Sequence, residues 1–415
     1  MSIQTPILRL VVILLTACVV YNYWVLNYVG TPDSSKSPPC LLPAETNNNN
    51  SGGGGTKTQH PTSSSIKREM LLYSKHSHIP SSMLDDGGLA PLTKWTQHQI
   101  FQRFHPANCT KAKFLVTQGW PAGLGSELHV IGSHMAHALQ NDLVLVWGPT
   151  SCESFVSKNS GCVGCGCLFL KTTHCPENII KANTVGTING AEYHNVVPDI
   201  FQHALKQAIP SMTAAEIRFW WRGQSVGYLA RFNEATLTIV SQMRTSTELH
   251  RYSSPYPLPY PLPAGTINAH IRHGDKYMEM PIIPAHKYWE AALALVHRQP
   301  LSFGNRTYFV SSDSDAAIDT SRAMAETACW NVVHSNMPRA TDGFVLLDWI
   351  NMDQRGSIIH SHLLQLLMSL ESDAWIGTRA SNWNRLIDEL RCVWIDKCKN
   401  IYIEVGVIAE QNYDW

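Results

Sequence analysis

Thr266-Ile267-Asn268-Ala269-His270-Ile271-Arg272-His273-Gly274-Asp275-Lys276-Tyr277-Met278-Glu279 begins as a strand and ends as a cluster of charge. Its first six residues alternate polar and apolar side chains, the period of a strand entering a core. From His270 to Glu279, six of ten residues carry an imidazole, a guanidinium, an ammonium or a carboxylate. Open α/β sheets collect ligands at the C-terminal ends of their strands. An arginine there can grip a phosphate through two parallel hydrogen bonds, and a neighbouring carboxylate can take a proton. A solvated turn is the plain alternative, but a turn needs far fewer such groups.

Upstream, Phe114-Leu115-Val116 reads as a short buried strand, followed by Gly119, Gly123 and Gly125. Glu127 to Leu139 has helical period, and Leu143-Val144-Leu145-Val146-Trp147 reads as a second strand. Strand, glycine turn, helix and strand make a βαβ unit. Its glycines permit close backbone approach and its helix start suits an anion, although many such turns are only tight connections. Downstream, Thr307 to Ser311 is a strand ending in Ser312-Asp313-Ser314-Asp315. Those side chains suit sugar or ribose hydroxyls and equally suit a helix N-cap. Arg355 to Met368 has helical period. Ala374-Trp375-Ile376-Gly377 is a buried strand, and Thr378-Arg379-Ala380-Ser381-Asn382 turns into a helix through Arg385 and Leu390. The doubled unit Pro255 to Pro263 excludes a helix and reads as an extended hinge between two halves.

The ends of the chain differ from this body. Leu10 to Val29 holds no charged residue and is long enough to cross a bilayer as an uncleaved signal anchor. A cleaved signal peptide is the alternative. The next segment, with Asn47–Asn50, Gly52–Gly55 and Ser63–Ser65, has the composition of a flexible tether. Lys+Arg and Asp+Glu are 32 each, so charge gives no sign of a nucleic-acid partner. Ten of the 11 cysteines lie beyond the anchor, an even number that suits disulfides in an oxidising lumen. Cys392 and Cys398 make a plausible local pair, and the cluster of Cys152, Cys162, Cys165, Cys167 and Cys175 has zinc as its alternative.

Four ordered blocks resemble the GDP-fucose-dependent fucosyltransferases that make α-1,6 linkages, and their relatives that fucosylate chitin oligosaccharides. They are Gly123 to His129; Trp220-Trp221 with Tyr228-Leu229 and Arg231; His270-Ile271-Arg272 with Asp275-Lys276; and Thr378 to Ser381 with Arg385. The resemblance spans about Phe114 to Arg391 and is most specific in its third block. It implies that His270 contacts guanine and Arg272 clamps the β-phosphate. It implies further that Lys276 supports the reacting centre, Glu279 is the general base, and Ser381 touches the pyrophosphate. Asp275, Asp313, Gln365 and Arg385 fall to the donor site, and Gly123, Gly125 and His129 to the glycine loop. The sequence departs from the pattern at His273, where the family has a second arginine, and at Gln365, where the α-1,6 enzymes have an aspartate. Glu279 lies one position closer to the lysine than usual.

The expected fold is α/β of GT-B type, with two Rossmann-like domains facing a cleft. A cytoplasmic tail (1–9), an anchor (10–29) and a stem (30–92) precede an acceptor-side domain (93–254). The Pro-rich linker (255–263) then leads to the nucleotide-sugar domain (264–415). The expected activity is inverting fucose transfer from GDP-fucose to a glycan hydroxyl, without cofactor or metal, in the Golgi lumen. Asp313-Ser314-Asp315 has the D-x-D form of metal-dependent transferases, which keeps a metal as an alternative. Arg272-His273-Gly274 also has the form of a histidine-phosphatase signature, though no later histidine is followed by Asp or Glu. A relative that binds nucleotide sugar or glycan without turnover is the third reading.

Overall fold

A computed structural model describes residues 88–156, 161–190, 196–245, 261–336, 339 and 352–406. The tail, the anchor and almost all of the stem lie outside the described residues, as do residues 255–260 of the linker. Among the described residues, no helix is long and apolar enough to cross a membrane.

The first half contains helix α1 (Thr93–Phe104), strand β1 (Phe114–Thr117), helix α2 (Leu124–Gln140) and strand β2 (Val144–Trp147). It continues through α3 (Glu177–Asn183), β3 (Thr184–Ile188), α4 (Asp199–Ala208), α5 (Ala214–Leu229) and α6 (Glu234–Thr245). Its three strands are parallel in the order β2-β1-β3. Helix α5 starts at a capping box in which Thr213 and Glu216 satisfy each other's backbone N–H groups.

The second half contains β4 (Ile267–Ile271), α7 (Ala285–Arg298), β5 (Thr307–Ser312), α8 (Asp315–Thr327) and β6 (Asn331–Val333). After it come α9 (Met352–Glu371), β7 (Ala374–Gly377), α10 (Asn382–Val393) and β8 (Ile401–Glu404). All five strands are parallel, in the order β6-β5-β4-β7-β8. The chain therefore leaves β4 to one side for β5 and β6, and returns to its other side for β7 and β8. That makes the β4/β7 boundary the topological switch point, where open parallel sheets form their ligand crevice.

Every residue of β4 is buried, the polar Asn268 and His270 included, so both faces of the strand are covered despite its alternation. One face of this sheet packs on α7 and α8 through Tyr288, Trp289, Leu295, Tyr308 and Trp330. Helices α9 and α10 contribute instead to the same core as the first half, with Leu363, Leu364, Leu386 and Leu390 beside Leu128, Ile131 and Trp221. Helix α10 approaches α5 so closely that a Cβ on Gly227 would lie 2.6 Å from Val393 Cγ1.

Disulfides join Cys109 to Cys175, Cys152 to Cys165, Cys162 to Cys167 and Cys392 to Cys398. The sulfurs of the cysteine cluster are thus occupied in bridges, not offered as a set of zinc thiolates. Two groups, Cys109–His174–Cys175 and Glu127–Cys152–Cys165, are near enough to share an ion, yet each contains a bridged pair.

Candidate active site

The end of β4 meets the end of β5 in register, with His270 opposite Ser311 and Ile271 opposite Ser312. His270 Nδ1 lies 2.9 Å from Ser311 Oγ, and Asn384 of α10 donates to the His270 carbonyl at 3.2 Å. Burial, then the charges of Arg272 and His362, push the His270 imidazole down to about 3, so it is neutral. Its buried Nε2 has no hydrogen-bond partner among the described residues. An orphaned polar atom in such a place is a position that a bound group can satisfy.

Two residues on, the Arg272 guanidinium is held between Asp275 and Asp313. Asp313 also accepts the His273 backbone N–H at 2.9 Å. Guanidinium has five N–H donors in a rigid plane, so this clamp fixes the fork while leaving donors for a ligand. Gly274 makes room for the clamp: its φ is +25°, and a Cβ there would run into both Asp313 Oδ2 and Arg272 Nη1.

The next turn is a 3-10 helix, Gly274–Met278. It buries Lys276 and pairs its ammonium with Glu279, whose side chain is 63% exposed. The carboxylate is therefore open to solvent while its cation is anchored. His273 does not stand in for a second arginine, because its Nε2 lies 2.8 Å from the Ile283 carbonyl. That engagement also removes the ring from the nucleophilic role the phosphatase reading needs. Asp313 and Asp315 diverge, the first to Arg272 and the second to Arg339 at 3.2 Å.

Across the switch point, the buried Ser381 is the N-cap residue of α10, but its side chain makes no capping bond. Asn382 Nδ2 donates to Ser126 Oγ at 2.7 Å. A Cβ on Gly125 would come within 3.1 Å of the Asn382 carbonyl, so the first turns of α2 and α10 lie against each other. Gly123 is the N-cap residue of α2 and has open space around it. Both helix ends carry partial positive charge. Arg385 crosses back to the Arg379 carbonyl and to Asn382 Oδ1 at 3.3 Å. Burial, then Arg222, lowers it to about 10, still well above neutral pH.

Two expected residues play other parts. His129 lies inside the protein, 2.7 Å from Glu389 Oε2, with Arg222 on the other oxygen at 3.8 Å. It ties α2 to α10 and is not placed at the glycine turn. Gln365 is buried on α9 and donates to Ser335 Oγ, just beyond β6.

Sequence reading did not single out His362, Trp383 or Arg339. The Trp383 ring lies near two imidazoles, 6.4 Å from His270 and 6.0 Å from His362. Burial, then Arg272 and Arg339, lowers His362 to about 4. Position three residues before Gln365 was the available signal for His362, since i and i+3 share a helix face.

The arrangement offers a clamped arginine, two neutral imidazoles near an indole, two helix N-termini, and an exposed carboxylate on an anchored lysine. Such a set can hold an anionic group and accept a proton beside it. No protein-family model and no curated protein sequence matches the chain. Among solved structures, a mutant of Arabidopsis thaliana FUT1 in complex with GDP is 11% identical. The match covers 79% of this chain and 77% of that one, with a TM-score of 0.39. NodZ α-1,6-fucosyltransferase soaked with GDP-fucose is 13% identical over 67% and 92%, TM-score 0.36, and NodZ is from Bradyrhizobium. POFUT1 in complex with GDP is 10% identical over 71% and 98%, TM-score 0.32. TM-scores at this level do not establish a shared fold, and no function follows from them.

Proposed function

We propose that this chain is a GDP-fucose-dependent fucosyltransferase that transfers fucose with inversion to a glycan hydroxyl. The observation that carries the reading is the Arg272 guanidinium, clamped by Asp275 and Asp313 just beyond β4 at the switch point of a parallel sheet. The sequence blocks described above supply the nucleotide sugar, and an acceptor of the N-glycan or chitin-like GlcNAc type with an α-1,6 linkage.

In this mechanism the orphaned His270 Nε2 meets the guanine, and Arg272 with the N-terminus of α10 meets the pyrophosphate. The acceptor oxygen attacks the fucose anomeric carbon from the face opposite the phosphate. Its proton passes to the Glu279 carboxylate as the bond from carbon to the β-phosphate oxygen breaks, and GDP leaves with the electron pair. Fixed donors aimed at developing charge contribute about 3–4 kcal/mol each in comparable sites. A positioned base adds roughly 10²–10⁴-fold. Asp313 and Asp315 face different arginines, which favours the fixed cation over a metal for neutralising GDP. The first half would present the acceptor and the second half the donor. The expected anchor and disulfides would place the body in the Golgi lumen as a type II membrane protein.

The test is incubation of the full-length chain with GDP-fucose and a glycan panel, with and without EDTA, beside Arg272→Ala. Transfer that survives EDTA and disappears in Arg272→Ala supports the reading. Absence of GDP-fucose binding by the unaltered chain refutes it.

A further inference from the structure

We propose that Tyr277 and Met278 form the platform on which the acceptor sugar lies; this rests on the transferase reading above and adds the acceptor's seat. Among the described residues, few large apolar side chains are strongly exposed. Val163, Val185, Ile200, Ile239 and Leu301 are each alone in sequence among these, whereas Tyr277 and Met278 are adjacent, 60% and 65% exposed. Tyr277 is also the exposed aromatic among them. Side by side at the rim of a polar site, the two make a small continuous apolar face, whereas single exposed apolar side chains are ordinary.

The local backbone explains where the pair faces. A 3-10 helix has three residues per turn, so side chains three apart eclipse, separated by about 6 Å of rise. The Lys276–Glu279 ion pair shows this eclipse directly. By the same rule Tyr277 stands over Gly274, where a Cβ would meet Arg272 and Asp313, and Met278 stands over Asp275, which holds Arg272. Burying Lys276 forces its two successors outward. The result is an apolar step one turn above the clamped arginine, next to an exposed carboxylate.

A pyranose ring suits this step because it is polar at its edge and apolar on its C–H face. The ring face can lie on the tyrosine, whose hydroxyl stays in water, while the flexible thioether fills the remaining contour. A hydroxyl on the ring edge then points toward Glu279. The occupant is accordingly a glycan, not a protein surface: the step is two side chains wide and is bordered by Lys276, Glu279 and Asp275 instead of more apolar surface.

The experiment applies the full-length chain, saturated with GDP, to an array of immobilised N-glycans and chito-oligosaccharides, with GDP binding followed in parallel by calorimetry. The expected result is retention of a defined glycan set, weakened about tenfold in Tyr277→Ala and further in Tyr277→Ala/Met278→Ala. Tyr277→Phe should keep the retention, and GDP affinity should be similar in all four proteins. Undiminished retention of the double variant, or no glycan retained by the unaltered chain, would overturn the platform. Absence of GDP heat from the unaltered chain would instead sink the donor-site reading, and the platform with it.

Discussion

Ser126 and Asn382 are 256 residues apart in sequence and 2.7 Å apart in space, joined by a hydrogen bond between the first turns of α2 and α10. Two helix N-termini thereby converge on one region, and a Cβ on Gly125 would lie a tight 3.1 Å from the Asn382 backbone. A branched side chain at Gly125 must push the two turns apart. Gly125→Val is expected to weaken GDP binding by about tenfold while costing roughly 1–3 kcal/mol of stability. Calorimetry with GDP and urea unfolding separate the two effects, and unchanged GDP affinity would show that the convergence does not serve the donor.

Gly274 makes a sharper case, because a Cβ there meets the clamp itself. Gly274→Ala is expected to lower kcat/KM for fucose transfer by about 10²-fold, approaching the effect of removing an electrostatic donor. Far-UV circular dichroism should stay unchanged. Activity near that of the parent would mean that Arg272 need not be held in this orientation.

The exposed Glu279 is expected to act on kcat alone. Glu279→Gln keeps the size and loses the base, so kcat should fall by roughly 10²–10⁴-fold with little change in the KM for GDP-fucose. A matching rise in that KM would move Glu279 from proton transfer to donor binding.

The strands around the site were legible, and the buried charges were not. β4, β5 and β7 are short runs whose alternation or apolar content survives without context. Cys392–Cys398 could be foreseen because six residues separate the pair, whereas Cys109–Cys175 spans 66. Asp388 and Glu389 are the opposite case: both are fully buried in α10. Periodicity assigns carboxylates to solvent, and here three of the four partners lie outside α10. Arg379 and Arg391 hold Asp388, while His129 and Arg222 hold Glu389. His129 was therefore read with its glycine turn and belongs with a residue 260 positions away. The same tertiary exchange puts α9 and α10 into the core of the first half.

Removing one member of that buried network should cost more than removing two. His129→Ala leaves Glu389 with the longer contact to Arg222, 3.8 Å, and breaking a buried pair by removing one partner costs up to about 3–5 kcal/mol. His129→Leu/Glu389→Leu should recover much of that loss, as read by urea midpoints. A double variant as unstable as the sum of its singles would contradict this account.

Stability should depend on pH through two buried sets with opposite signs. Burial raises Glu127 from 4.5 to about 7, against the N–H groups of Cys152 and Trp120 that lower it. The folded protein thus holds this proton where the unfolded chain has lost it. Its contribution is complete below about pH 4.5 and is lost as pH rises to about 7, on the order of 3 kcal/mol in all. His270 and His362 are lowered from 6.5 to about 3 and about 4. Their contribution is present above pH 6.5 and is lost as acid drives the pH down through those values. Between pH 4.5 and 6.5 the two sets oppose each other, so the parent's stability should still rise with pH there, but less steeply than the two histidines alone would give. Glu127→Gln deletes the first set, and its stability should climb more steeply than the parent's from pH 5 to 6.5. His362→Gln should climb less steeply over the same range. Urea unfolding at fixed pH steps measures both slopes, and a Glu127→Gln profile parallel to the parent's would show that this carboxyl titrates as it does in the unfolded chain.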